Sequence, residues 1–346
     1  MQRLASLLLA LALVMGWSTA HEFVSAGNTN NALASVLDVY PGESIQQAIN
    51  LAQQGDTIFV HSGTYYENIV VNKPVSVVGE NSSNTTIYST EVGGPGVGKI
   101  VIEVAANGVT IKGFTLTFPE GGNNNWAILA IEISNLTIAE NIIENCTHGI
   151  YLVNFSENNT IKGNLIVNND AMGIYLDNSG GNRILENTLE NNGEFGVYIQ
   201  GTLQRQNNTF YHNNFVNKRQ VFIYDPNNVV FDAWDSGHLS GGNYWNEGLH
   251  VDTHGDGIVD TPRVIDANNT DHYPLMSPYW YWKNPIAGDV NRDMRVDIKD
   301  LAIPARSYGA YPGDPNWNPY ADLNRDDRID IKDLALIARN YGKTYT

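Results

Sequence analysis

The chain has 346 residues, of which 42% are hydrophobic, and a formal net charge of −17. That length leaves room for a sizeable core and about two domains. The acidity argues against nucleic acid or an anionic membrane as partner, and Cys146 as sole cysteine excludes an intramolecular disulfide.

The first twenty residues read as a secretory signal. Arg3 supplies the positive start, residues 7–14 are apolar, and Ser18, Thr19 and Ala20 offer a small-residue cleavage point. An uncleaved anchor is the alternative, although the apolar run is short for a span. No other stretch reads as membrane-crossing. A cleaved chain is then secreted or extracellular, with no membrane insertion, and its Asn-x-Ser/Thr sequons from Asn81 to Asn268 are open to glycosylation.

Residues 43–54 place Ile45, Ala48, Ile49 and Ala52 on one helical face, which suits a cap on the domain that follows. Beyond it the sequence repeats. Asn141, Asn164 and Asn187 stand 23 residues apart, and Gly149-Ile-Tyr-Leu returns as Gly173-Ile-Tyr-Leu and Gly196-Val-Tyr-Ile. Short alternating β-rich runs at such a period predict a solenoid of strands. Stacked asparagines at one corner can form an amide ladder. From residue 38 to 245 this period predicts about nine coils of ~4.8 Å each.

The stretch SIQQAINLAQQGDTIFVHSGTYYENIVVNKPVSVVGE, the repeats, and residues 242–276 (GNYWNEGLHVDTHGDGIVDTPRVIDANNTDHYPLM) together resemble right-handed parallel β-helix proteins. These are the pectin-lyase-like class, with carbohydrate-binding and sugar-hydrolase repeats, and the copper-maturation proteins of the NosD type. The resemblance covers most of residues 37–276. It implies a fold and leaves the reaction open, since one fold hosts many functions.

Two features bear on sugar chemistry. Asp170, Asp177, Glu186, Glu190 and Glu194 are the carboxylates that neighbouring coils would bring together for a hydrolase or lyase; as solvated turn residues they would do nothing. The acidic-pair, Gly-His-Gly and Arg-x-Lys signatures of polygalacturonases are missing. Tyr151, Tyr175 and Tyr198 recur at one coil position between Ile and Leu. The more apolar Ile/Leu set should win the interior, which leaves an outward tyrosine strip for sugar stacking. A copper role would need Met, His or Cys clusters, and the sequence has five Met and one Cys.

Asp252, Asp256 and Asp260 occupy positions 1, 5 and 9 of a loop with Gly257 at position 6. That reads as a third calcium site or as a turn that closes the coil stack. His254 at position 3 is a poor ligand for a hard cation. Residues 277–284 (SPYWYWKN) form an aromatic linker.

Residues 285–346 say one thing twice. DVNRDMRVDIKDLAIPARSYG (289–309) returns 33 residues later as DLNRDDRIDIKDLALIARNYG (322–342), identical at 15 of 21 positions. Oxygen-bearing residues at loop positions 1, 3, 5, 7, 9 and 12 make a calcium cage. The first set is Asp289, Asn291, Asp293, the Arg295 carbonyl, Asp297 and Asp300; the second is Asp322, Asn324, Asp326, the Arg328 carbonyl, Asp330 and Asp333. Position 6, normally Gly, is Met294 or Asp327.

Loop plus one helix, twice, resembles a type I dockerin. The resemblance implies two calcium ions that fold the module and docking onto a cohesin domain. It implies contacts through Ile298, Lys299, Ala305 and Arg306 and, in the second copy, through Ile331, Lys332, Ala338 and Arg339, in either of two orientations. Pro304, where the second copy has Ile337, should bend or shorten the first helix. A calcium-stapled cap without a partner is the alternative.

The sequence thus predicts a mainly β protein: a right-handed parallel β-helix over 37–276, then a small α-helical calcium module. Its expected role is recognition or processing of polysaccharide, by a lyase or glycosyl hydrolase if catalytic, in a cohesin-bearing complex. A surface protein with the rod as spacer is the alternative, and a NosD-like copper role comes third.

Overall fold

Three short strand-forming runs per repeat, separated by corners, dictate the architecture. The computed structural model describes residues 34–90, 99–118, 125–202, 206–225 and 227–345; the signal segment 1–20 lies outside them. Among the described residues no helix is long and apolar enough to cross a membrane.

The chain winds into a right-handed parallel β-helix with three faces. One coil runs through Thr137–Ala139 on the first face, Ile142–Glu144 on the second and His148–Val153 on the third, then returns to Thr160–Lys162. Among the described residues the first and second faces carry eight strands each and the third carries seven, so the rod has about seven complete coils rather than nine. On the first face the 23-residue spacing holds between residues 138, 161 and 184, and on the second between 143, 166 and 189, all paired in register. The first two coils are shorter, as the Leu37, Ile58 and Val77 pairings show, and the coils through Val77, Ile111 and Ile138 and from Ile184 to Phe210 are longer.

Alternation within each strand fills the interior. Ile111, Ile138, Ile161, Ile184 and Phe210 stack in register on the first face, all fully buried. Leu116, Ile143, Ile166, Leu189 and Phe215 do the same on the second. Each such side chain is worth about 1.5–3 kcal/mol of burial. Corners demand left-handed backbone. Glu140, Gly163 and Glu186 occupy one such corner at φ 54°, 65° and 58°, and Asn145, Asn168 and Asn191 another at 56°, 54° and 52°.

A different set of asparagines is buried, and it forms the ladders. Asn141 donates its backbone N–H and its amide to Asn164 Oδ1 at 3.0 and 3.1 Å, and Asn164 does the same to Asn187 at 3.0 and 2.9 Å. The series continues through Asn213 and Asn243 and ends when Asn243 N–H donates to Asp271. A second ladder runs Asn159, Asn182, Asn208 to Asp232. A third runs Asn169, Asn192, Asn217 to Gln220.

The rod's ends are covered. At the start, Ile45–Leu51 forms a helix that buries Ile45, Ala48 and Ile49. Glu67 accepts from the Ile45 and Gln46 N–H groups, and Lys73 donates to the carbonyls of Ile49, Asn50 and Ala52. A carboxylate at the N-terminus and an ammonium at the C-terminus both suit the helix dipole. At the far end Trp234 lies flat on Phe210 at 4.2 Å and Trp245 on Phe215 at 4.4 Å.

Two predictions follow from the ladders. Asn187→Ala removes the acceptor of Asn164 and orphans buried groups on both sides, so urea unfolding should show a loss of about 2–4 kcal/mol; a loss under about 0.5 kcal/mol would deny the ladder its role. The second concerns the carboxylate rungs. Burial pushes Asp232 up to about 7 and Asp271 up to about 6, against the ordinary 3.8, with hydrogen bonds from Asn208 and Asn243 opposing. The folded rod therefore holds these protons more tightly than the unfolded chain. Their stabilising contribution is complete below about pH 4 and is lost as pH rises through about 6 to 7. Asp232 Oδ2 has no partner among the described residues, while its N–H donates to Asn269 Oδ1 as in every other rung. Asp232→Asn should thus flatten the fall in melting temperature between pH 5 and 8, and an unchanged profile would clear Asp232 of it.

Candidate calcium centres and the tyrosine face

Each loop of the C-terminal module folds around its own carboxylates. Asp289 accepts the N–H groups of Asp293 at 3.1 Å and Met294 at 2.9 Å, and Asp322 accepts those of Asp326 and Asp327 at 3.2 and 2.9 Å. Asp300 accepts from Val290, Asn291 and Asp297, and Asp333 from Leu323, Asn324 and Asp330. The missing glycines are no obstacle, because Met294 and Asp327 adopt the left-handed backbone themselves, at φ 72° and 60°. Asp297 and Asp330 cap the following helices in capping boxes with Asp300 and Asp333.

The electrostatics fit a hard divalent cation. Burial, then the charges of Asp300 and Asp293, push Asp289 up to about 7, and burial raises Asp300 as well. Lys299 and Lys332 reach one carboxylate of each cage, Asp293 at 2.9 Å and Asp326 at 2.7 Å. Carboxylates, an amide and a loop carbonyl form an all-oxygen donor set of the kind calcium takes. Asp289, Asn291, Asp293, Arg295, Asp297 and Asp300 would hold one ion. Asp322, Asn324, Asp326, Arg328, Asp330 and Asp333 would hold another.

The two copies clasp each other. Val296 pairs with Gly342 and Lys343, and Ile329 pairs with Gly309 and Ala310, contacts that map onto each other by the 33-residue shift. Val290, Val296, Ile303, Ala310, Ala321, Ile329 and Ile337 form the small core between them. Pro304 does not shorten its helix, which spans Ile298–Arg306 against Ile331–Ala338 in the second copy. It lies near the C-terminal end and is buried, as Ile337 is. Ile298, Lys299, Ala305, Arg306, Ile331, Lys332, Ala338 and Arg339 are all exposed.

The aromatic linker is a built joint. Tyr279–Lys283 is helical; Tyr279 lies flat on His212 at 3.9 Å, and Trp282 donates to the Gly257 carbonyl. Arg292 of the first loop sits over the Trp282 ring at 4.1 Å. Tyr281 is buried and donates to Asp289 at 2.5 Å, which ties the linker to the first cage.

The acidic loop at 252–260 departs from its sequence-based expectation. Asp252, Asp256 and Asp260 do not converge. Asp256 turns to His238 at 3.1 Å, and the ligand atoms that come within 4.8 Å of one another belong to Asp252, His254 and Asp260. Most of the carboxylate oxygens there already serve the loop. Asp252 accepts from the N–H groups of His254, Gly255 and Gly257, and Asp260 from Thr253 N–H and the His254 ring. The loop carbonyls of Thr253 and His254 receive Arg306 and Asn318 of the module.

On the third face the tyrosines point outward while their Ile and Leu neighbours are fully buried. Tyr151, Tyr175 and Tyr198 stand in register. Tyr151 and Tyr175 stack on each other at 4.4 Å, and Tyr198 meets Tyr175 edge to face at 4.7 Å. Trp126 and Phe222 extend the series at either end. Rings that cover one another offer solvent their edges and hydroxyls. Tyr175 donates to Gln200 at 3.0 Å, beside Asp177, whose carboxyl burial pushes up.

The five carboxylates are spread around the coil. Asp177 ends a strand on the third face, and Glu190 ends one on the second. Glu186 sits at the corner between the first and second faces, paired with Lys162 at 3.6 Å. Asp170 and Glu194 are exposed at the corner that leads into the third face.

The family model described as periplasmic copper-binding protein (NosD) matches residues 49–248, and that of the dockerin type I domain matches residues 287–340. Among solved structures the chain is similar to a pectin methylesterase from carrot, at 13% identity over 68% of this chain and 86% of that one, TM-score 0.47. It is similar to the PL6 family alginate lyase AlyGC, at 14% identity over 61% of this chain and 39% of that one, TM-score 0.31. A Geobacillus virus E2 protein, ORF18, shares 17% identity over 54% of this chain and 56% of that one, TM-score 0.36. No curated protein matches the sequence. With more than half its length matched by one family model and the repeated calcium loops by another, the chain belongs to the NosD family of β-helix proteins and carries a C-terminal type I dockerin domain that binds calcium.

Proposed function

We propose that this is an extracellular polysaccharide-recognising rod, carried into a cohesin-bearing complex or cell surface by its calcium-dependent dockerin. The observation that carries the reading is the joining of two built parts. One is a module in which both cages are pre-shaped by backbone N–H groups; the other is a rod with a polar-edged aromatic face. Two ions, one per cage, are the expected stoichiometry. On the rod, the hydroxyls of Tyr151, Tyr175 and Tyr198, with Gln200 and Asp177, offer hydrogen bonds to sugar hydroxyls along one face. Most of the negative charge lies on the rod, so neutral sugars, or acidic ones bridged by calcium, suit it best.

A second reading, the rod as non-catalytic spacer, is favoured by the mutual covering of Tyr151 and Tyr175 and by the spread of the five carboxylates over different faces and corners. Copper, named in the family's description, finds a poor fit. The Cys146 thiol is buried and pushed up by desolvation. Among the described residues the one cluster that includes a histidine pairs it with two carboxylates, a set that suits harder ions better than copper(I).

Calcium removal tests the module. Chelation leaves Asp289, Asp293 and Asp300 crowded without a counter-charge, so helical circular dichroism should fall while the β signal of the rod persists. Calorimetry of the apo chain should return two sites. Helicity unchanged by chelation would overturn the dockerin assignment of function. For the rod, the chain should be retarded in gels cast with a neutral glucan, or with polygalacturonate plus calcium. Tyr175→Ala with Asp177→Ala should weaken that retention about tenfold, the worth of one or two hydrogen bonds. No retardation on either polymer would leave the spacer reading standing.

A further inference from the structure

The two copies of the dockerin repeat are nearly identical in sequence and sit in different surroundings. The rod's 252–257 loop lies against the first. Arg306 donates to the Thr253 carbonyl at 3.2 Å, and Asp252 and Thr253 line one groove with Asn291, Ile298, Lys299 and Arg306. Ile303 is buried against Gly255 so closely that a Cβ there would fall 2.5 Å from its Cδ1. Trp282 and Arg292 brace the same side of the module.

The second copy has no such neighbour. Leu336, the counterpart of Ile303, is half-buried among module residues such as Pro285, Ile286 and Leu323. Among the described residues no hydrogen bond joins residues 331–339 to the rod. Ile331 is as exposed as its counterpart Ile298, at 64% and 65%, and beside it lie the exposed Lys332, Ala338 and Arg339, so the copies differ in the neighbouring loop and not in the exposure of these side chains.

We propose that this dockerin docks through its second copy alone, in one orientation, on a cohesin-type domain whose apolar patch is rimmed by carboxylates. The inference rests on the docking function proposed above and narrows it. Twin loops permit two orientations only while both helix faces are open. Here Ile298 and Arg306 stay exposed, but the rod's own loop stands at their edge across an open groove, so a whole domain seated on them would meet it, and moving the loop would expose Ile303 and break the Arg306 and Asn318 hydrogen bonds. The apolar pair Ile331 and Ala338, flanked by Lys332 and Arg339, selects an acidic-rimmed partner by charge complementarity.

The test uses the full chain with calcium and a panel of type I cohesin domains, read by calorimetry. Ile331→Asp with Ala338→Arg should lower affinity by about 30-fold or more, as loss of a central contact does. The matched pair Ile298→Asp with Ala305→Arg should stay within about twofold of wild type. All four positions are exposed and outside the cages, and calcium-dependent circular dichroism checks that each variant folds. Arg339→Glu gives a second probe of the same face, with loss again expected. Wild-type affinity in the second-copy variants, or equal losses in both pairs, would overturn the single orientation while leaving docking intact. A wild-type chain that binds no cohesin of the panel would overturn the docking function and this inference with it.

Discussion

A buried asparagine amide must place two donors and two acceptor lone pairs, and in the ladders of this rod it does so chiefly through an identical amide one coil away. That constraint governs the architecture. An Asn corner of Asn164 type takes hydrogen bonds from the coil before and gives them to the coil after, and its second amide hydrogen satisfies the Ile138 carbonyl. A slip of one residue would orphan every rung at once, each at about 1–3 kcal/mol. The ladders therefore specify register, while the Ile and Leu stacks inside supply the bulk of the burial energy. Neither could replace the other, because hydrophobic stacks alone tolerate exchange of Ile for Leu or Phe and do not count coils.

The same economy of polar groups appears in the module with the sign reversed. There the buried acceptors are carboxylates, and they gather backbone N–H groups into tight loops until a residual negative charge remains that only a cation can neutralise. In the rod, the carboxylates Asp232 and Asp271 sit in two ladders where the next Asn would stand, Asp271 as the last rung and Asp232 as the rung before Asn269. Burial pushes both carboxyls up, so these rungs hold a carboxyl most easily in its neutral form.

Much of this was legible in the sequence, for physical reasons that can be named. The 23-residue recurrence of Asn141, Asn164 and Asn187 is the ladder itself. Tyr151 and Tyr175 face outward because Ile and Leu on either side outcompete them for the interior. The cage residues follow from loop spacing, since positions 1, 3 and 5 of a tight loop turn to one centre. What escaped was whatever depends on distance through space. The number of coils was overestimated because insertions lengthen the coils between Val77 and Ile138 and after Ile184, by more than the first two coils are shortened. Asp256 left the expected acidic triad because His238, 18 residues earlier in the chain, takes it. The link from Tyr281 to Asp289 left no mark, since a Tyr in an aromatic linker reads as packing. Pro304 looked like a defect, yet its helix still runs to Arg306, and the ring is buried at the position where the second copy buries Ile337.

Sequence identity between repeats is a statement about the module in isolation, and the rest of the chain need not respect it. The 33-residue duplication yields two cages with matching hydrogen bonds, two capping boxes and a reciprocal clasp between Val296 and Ile329. The joint to the rod then breaks the equivalence. Tyr281 reaches Asp289, while Asp322 occupies the same place in the second loop with no linker residue beside it among the described residues. Gly255 makes room for Ile303 and not for Leu336. A symmetric element fused at one end loses its equivalence there: Thr253, Gly255 and Trp282 meet the first copy, while residues 331–339 of the second make no hydrogen bond to the rod among the described residues, so the fusion, more than the drift between copies, sets the two halves apart.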